Sequence, residues 1–252
     1  MSIVLGIMSG TSIDGVDYAL CEISERCVRL RQHWHVPFPK NLRGRLQLAA
    51  ANRSTTYEVG QLHHELGRFY AKGAQHLKNS RPIACAGLHG QTVFHDAMAR
   101  ATLQIGEPAW LAAELGVPVV SNFRAADIAA GGQGAPLATI LHQWVFAERG
   151  RHLCVNNLGG ISNVTSLDWR RGHQPRVTAF DTGPANMLMD MAVTRLTGGR
   201  KTSDADGKWA RRGTTRDELV AKWLKHPFFR QKPPKSTGRE LFGEVFLERV
   251  VR

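Results

Sequence analysis

The stretch Gly6-Ile-Met-Ser-Gly-Thr-Ser-Ile-Asp-Gly-Val-Asp17 constrains this chain more than any other. An apolar run at residues 2–5 precedes it, and an alternating run at 16–23 follows. Alternation at period two reads as a strand, so the glycines and hydroxyls occupy a turn between two strands. Gly6, Gly10 and Gly15 let backbone N–H groups approach a ligand, and Thr11 and Ser12 add hydroxyls. Such a turn is a cradle for phosphate oxygens. It is not a Walker A loop, because it lacks Gly-Lys-Ser/Thr and no helix follows. With no lysine present, Asp14 and Asp17 point to a divalent metal that offsets phosphate charge. A tight glycine hairpin without a ligand is the plain alternative.

A second glycine turn, Asn156-Asn-Leu-Gly-Gly-Ile-Ser-Asn-Val-Thr165, again lies between apolar runs. A third signal is Phe180-Asp-Thr-Gly-Pro-Ala-Asn186, where a strand at 176–180 leads into a helix. Pro184 suits a first helical turn and Thr182 a cap. Asp181 then falls at a strand's carboxyl end, where α/β sheets place ligand-handling groups.

These residues carry a family resemblance. The 6–17 turn resembles the first phosphate turn of the anhydro-N-acetylmuramic acid kinases. Similar in the same way are Gly87-Leu-His-Gly-Gln-Thr-Val-Phe-His95, Phe123-Arg-Ala-Ala-Asp-Ile-Ala-Ala-Gly-Gly-Gln-Gly-Ala-Pro-Leu137, the 156–165 turn, the 180–186 segment and Pro233-Pro-Lys-Ser-Thr-Gly-Arg-Glu240. The motifs follow the family's order along nearly the whole chain. The resemblance implies the α/β fold of the sugar kinase, Hsp70 and actin superfamily, with two related domains around a nucleotide cleft. The first would span residues 1–134 and the second 135–252. Family members continue beyond the position of Arg252, so the second domain is expected to be incomplete.

The activity so implied is ATP-dependent opening of the 1,6-anhydro ring of 1,6-anhydro-N-acetylmuramic acid with phosphorylation of O6, a step of peptidoglycan recycling. ATP and Mg2+ are the implied cofactors. ATP would rest on Gly10, Thr11, Ser12, Ile13, Asp14, Gly15, Val16 and Asp17, and on Asn157, Gly159 and Gly160, with Asp14 touching the metal indirectly. His89, Gln91, Thr92, Arg124 and Asp127 would contact the sugar. Asp181 would be the base that deprotonates the attacking water. Each has a plainer alternative: Asp181 as a helix cap, Arg124 and Asp127 as an i,i+3 ion pair, His89 as a hydrogen-bonded loop residue. Lys235 and Arg239 either contact ATP phosphates or lie exposed. His89 and His95, in a glycine-containing loop without further ligands nearby, make a poor zinc site.

Composition limits other classes. The 252 residues are 42% hydrophobic, which supports a core and argues against disorder. No run approaches membrane-spanning length and no secretory signal is evident, so a cytoplasmic protein is expected. Cys21, Cys27, Cys85 and Cys154 are scattered and read as free thiols. The net charge is +12, and residues 195–252 hold 15 Lys and Arg against 7 Asp and Glu. That bias alone invites a nucleic-acid reading. The charges are dispersed and no nucleic-acid motif accompanies them, so neither nucleic acid nor membrane is an expected partner. A positive field suits anionic small molecules. The resemblance leaves a homodimer open, and a catalytically inactive sugar-binding homologue is the second reading.

Strands are expected at 2–8, 16–24, 28–36, 83–88 and 117–122, with a loop at 87–95. Helices are expected at 55–78, 108–115 and 136–149. Gly131 to Gly134 reads as a hinge, residues 227–235 as a basic loop, and Thr237-Gly-Arg-Glu240 as a capping box opening a last helix.

Overall fold

The computed structural model describes residues 1–25, 27–78, 82–96, 99–233 and 235–250, without the side chains of residues 239 and 240. The contacts divide the chain into two units, Met1–Leu137 and Ala138–Arg252.

The first unit is built on a sheet of strands β1 (Ser2–Ser9), β2 (Gly15–Ser24), β3 (Cys27–Pro37), β4 (Cys85–Asp96) and β5 (Ala101–Ile105) in the order β3-β2-β1-β4-β5, with β6 (Val119–Val120) also paired to β4. β1 runs antiparallel to β2 and parallel to β4. The antiparallel pair is closed by the short turn at 10–14, whereas the parallel pair needs a long crossover. That crossover carries α1 (Lys40–Ala50) and α2 (Thr56–Ala74). Helices α3 (Pro108–Leu115) and α4 (Phe123–Ala129) follow the sheet's last long strands.

Helix α2 starts where its sequence says. The Thr55 hydroxyl accepts from Glu58 N–H, and Glu58 Oε2 accepts from Thr55 N–H, forming the full capping box. Its buried face is Leu62, Leu66, Tyr70 and Ala74, which packs with Leu5, Val16, Tyr18 and Leu88 of the sheet in one core. Tyr70 is fully buried in this core, and Phe69 packs at its margin. Each such fully buried leucine contributes about 1.5–3 kcal/mol.

The helix α1 has no counterpart in the sequence reading. The segment at 87–95 is not a loop: β4 continues to Asp96 because β5 pairs with it antiparallel, Gln91 opposite Ile105 and His95 opposite Thr102. His89, Gln91 and Thr92 therefore sit on a strand.

The second unit has the antiparallel sheet β7 (His152–Leu158), β8 (Ile161–Asp168) and β9 (Arg176–Pro184) in the order β7-β8-β9. Around it lie α5 (Ala138–Phe146), α6 (Asn186–Leu196), α7 (Asp217–Trp223), α8 (Pro227–Arg230), α9 (Arg239–Phe242) and α10 (Glu244–Val250). Phe228, Phe242 and Met187 form its aromatic-rich core, edged by Phe229 and Phe246. Helix α8 occupies part of the segment expected as a loop. The capping box expected at 237–240 is not formed. Gly238 is the N-cap of α9, and the Thr237 hydroxyl is buried without a partner among the described residues.

Candidate active site

In the first unit the β1–β2 turn is held from two sides. Ser9 and Tyr70, both buried, are joined through their hydroxyls at 3.0 Å. Gln91 donates from Nε2 to the Gly10 carbonyl at 3.1 Å. These contacts fix the end of β1, from which the turn departs. Within the turn, Ile13 N–H bonds the Gly10 carbonyl at 3.2 Å and Ser12 Oγ donates to Asp14 Oδ1 at 2.7 Å. Burial acts to raise the Asp14 carboxyl. The Ser12 hydroxyl, the backbone N–H groups of Asp14 and Gly15, and nearby His35 outweigh it and hold the group below its ordinary range.

The turn's residues divide by exposure. Thr11, Ser12, Asp14 and Asp17 are exposed. The side chains of Ile13 and Val16 are buried in the core, so only their backbone can face a phosphate. Gly15 is required sterically, since a Cβ there would run into the His35 ring and the Val36 carbonyl. Ile13 has φ +53°, a left-handed conformation that is uncommon for a β-branched residue and clusters at ligand sites. Asp17 Oδ1 is shared by His33 Nε2 at 3.2 Å and His35 Nδ1 at 3.1 Å. The sequence reading missed both histidines, although their i,i+2 spacing on a strand places them on one face.

The second cluster in this unit joins β4 to α4. His89 Nδ1 lies 2.7 Å from the Gly90 carbonyl and so carries the proton, leaving Nε2 to accept from Arg124 Nε at 3.0 Å. Arg124 Nη1 donates to the Gly134 carbonyl at 2.7 Å. Burial pushes the His89 imidazole below its ordinary pKa and Arg124 pushes it further, against the Gly90 contact, so the ring is neutral. Burial also lowers Arg124. Asp127 Oδ2 accepts from Gly134 N–H at 2.7 Å. Among the described residues no ion pair joins Arg124 to Asp127; each ties the loop after α4 instead. His95, also lowered by burial and by Arg124, borders the same loop. Gln91 is fully buried, with Oε1 lacking a partner among the described residues. Thr92 Oγ1 accepts from Gln104 at 3.3 Å.

In the second unit, the β7–β8 turn meets the start of α6. The Gly160 carbonyl accepts from Ala185 and Met187 N–H, and the Gly159 carbonyl from Asn186 N–H. Asn157 is exposed beside this turn. The helix start is thus capped by backbone. Thr182 donates to the Ser162 hydroxyl and carbonyl, and Ala185 stands at the N-cap without a side-chain bond. The cap reading of Thr182 and of Asp181 is overturned, because β9 runs on to Pro184. A bulge lies there: Asn163 pairs with Asp181, and Ser162 with Gly183. Bulges re-aim side chains and are frequent beside active sites. Gly183 takes φ +146°. Asp181 N–H donates to the Lys235 carbonyl, and Asp181 Oδ2 accepts from Thr237 N–H, each at 2.9 Å.

Among the described residues no group of three or more His, Cys, Asp or Glu side chains is placed to hold a metal. Magnesium bound mainly through nucleotide phosphates and water asks for only one or two carboxylates, and exposed Asp14 fits that need.

Comparison with known proteins defines the class. The family model described as anhydro-N-acetylmuramic acid kinase matches residues 2–252. The anhydro-N-acetylmuramic acid kinase of Rippkaea orientalis is 41% identical over 97% of this chain and 68% of its own length. That of Synechocystis sp. is 43% identical over 97% and 67%, and that of Gloeobacter violaceus 44% over 99% and 69%. The chain thus spans about two thirds of these relatives. A solved Ppx/GppA family protein of Aquifex aeolicus aligns with 92% of this chain and 63% of its own, at 14% identity and a TM-score of 0.38, too low to carry weight. The chain is of the kinase class with the actin-like ATPase fold. It belongs to the anhydro-N-acetylmuramic acid kinase family.

Proposed function

We propose that this chain converts 1,6-anhydro-N-acetylmuramic acid, ATP and water to N-acetylmuramic acid 6-phosphate and ADP. The family match over residues 2–252 carries the reading. Asp181, held through both its backbone and its carboxylate, is the base. It takes a proton from water as the water oxygen bonds to C1 and the C1–O6 bond breaks. O6 attacks the γ-phosphorus, whose bond to the bridging oxygen breaks to release ADP. Asp181 then returns its proton to solvent.

Positioning and electrostatics dominate phosphoryl transfer, so the other residues orient the reactants. Gly10 to Asp17 and Asn157, Gly159 and Gly160 bind ATP phosphates, with Ile13, Gly15 and Val16 acting through backbone alone. Asp14 would hold magnesium indirectly, together with the nucleotide, and the ion would neutralise phosphate charge. Arg124, oriented by neutral His89, and Asp127 address the sugar, and its lactyl carboxylate suits the guanidinium. Thr92 lies on the same strand as His89. Gln91 serves the site by holding Gly10. The setting is cytoplasmic cell-wall recycling, with small-molecule substrates and with neither nucleic acid nor membrane as partner. No helix among the described residues is long and apolar enough to cross a membrane.

The test is mass spectrometry of products after mixing the protein with ATP, Mg2+ and the anhydro sugar. A product heavier by one phosphoryl group and one water is expected, and Asp181→Asn is expected to abolish it while leaving the fold intact. Absence of product from folded wild-type protein rejects the activity. Undiminished turnover in Asp181→Asn rejects the base.

A further inference from the structure

We propose that residues 235–237 form a strap that positions Asp181, with Lys235 as its anchor. The inference rests on the reading of Asp181 as the base. β9 is the edge of its sheet, and at Asp181 the strap occupies that edge. The Lys235 carbonyl takes the Asp181 N–H, and two residues on the Thr237 N–H binds Asp181 Oδ2, both at 2.9 Å. One short segment thereby holds the residue's main chain and its carboxylate together, and a carboxylate oxygen bound to a fixed N–H has little freedom in its side-chain torsions.

The strap is itself tied down. Lys235 Nζ donates to the Phe228 carbonyl at 3.0 Å and stands 4.5 Å from the centre of the Phe228 ring. Phe228 is 1% exposed and belongs to the core of the unit. The ammonium is thus engaged with a carbonyl and an aromatic face, a pairing that strengthens as water is excluded. This use of the charge argues against Lys235 as a phosphate contact. Thr237 contributes through its N–H, since its hydroxyl is buried without a partner among the described residues. Arg239, the other cation of this motif, has its side chain outside the described residues.

The test compares Lys235→Met, which keeps the aliphatic stem but loses the donor and charge, with Lys235→Arg, which keeps both. Steady-state kinetics should show kcat for Lys235→Met about tenfold or more below wild type, because small misplacement of a reacting group is costly. The ATP KM should stay within about twofold, the pattern of a lost transition-state arrangement. Lys235→Arg should recover most of kcat. A second readout needs no turnover: amide exchange at Thr237 in the full chain should accelerate about tenfold in Lys235→Met and in Asp181→Ala, as expected for local opening. A raised ATP KM with unchanged kcat, or unchanged Thr237 protection in Lys235→Met, overturns the strap. Retained turnover in Asp181→Asn overturns the base instead, and the exchange result then judges the strap by itself.

Discussion

Replacing His89 tests the sugar-side cluster most directly. Arg124 is half-buried, and its Nε–H is committed to His89 Nε2 at 3.0 Å. His89→Ala removes that acceptor and leaves a half-buried charged donor unpaired, which costs at most about 1.5–3 kcal/mol because solvent can reach part of the guanidinium. If the whole of it must be recovered on sugar binding, the sugar KM rises about 10- to 150-fold. His89→Gln restores an acceptor at the same reach and should recover most of the loss. The wild type should also respond to pH. Protonation turns Nε2 into a donor facing another donor. The folded-state pKa of His89 lies below its ordinary value of 6.5, so the unfolded chain binds the proton first. The cluster's contribution is therefore fully present above about pH 6.5 and is lost as pH falls from there through the folded value. His89→Gln should lack this loss. The assay is initial rate against sugar concentration from about pH 5 to 8, with denaturant midpoints measured in parallel. An unchanged sugar KM and midpoint in His89→Ala would refute the reasoning.

Two further substitutions bear on the other elements. Gly183→Ala forces a side chain onto φ +146° with its Cβ 2.8 Å from Phe229 Cε1, so a stability loss of at least about 1–3 kcal/mol is expected; thermal unfolding unchanged from wild type would show that the bulge relaxes freely. Asp14→Asn, at an exposed position, should lower the unfolding midpoint only slightly, through loss of a carboxylate that the fold favours ionised, but raise the ATP KM and the Mg2+ requirement about tenfold; nucleotide titration with an unchanged Mg2+ dependence would remove Asp14 from the phosphate site.

Much of the local architecture is legible before folding. The antiparallel hairpin around 10–14, the Thr55–Glu58 capping box and the helix at 108–115 all arise from residues close in sequence. The same locality misleads at Thr182 and Thr237, which have the right chemistry to cap a helix. In the fold, Thr182 meets Ser162 and the Thr237 N–H meets Asp181, so each is claimed by a distant partner. The extent of β4 escapes local reading for a related reason: glycine at 87 and 90 signals a loop, but Gly87 pairs with Gly6 and Val120, and from Gln91 onward pairing with β5 extends the strand.

What the sequence by itself determined is the family and the kinds of group available: two glycine turns with hydroxyls and carboxylates, an arginine and an aspartate ten and seven residues before Gly134, and an aspartate in Phe180-Asp-Thr-Gly. These are properties of short segments, set by local sterics and by motif order. Tertiary structure alone decided how the groups are used. His89 becomes a neutral acceptor for Arg124 across 35 residues, Gln91 reaches Gly10 across 81, and Thr237 holds Asp181 across 56. Such pairings depend on strand register and burial, because a buried polar group must find a partner wherever the fold brings one.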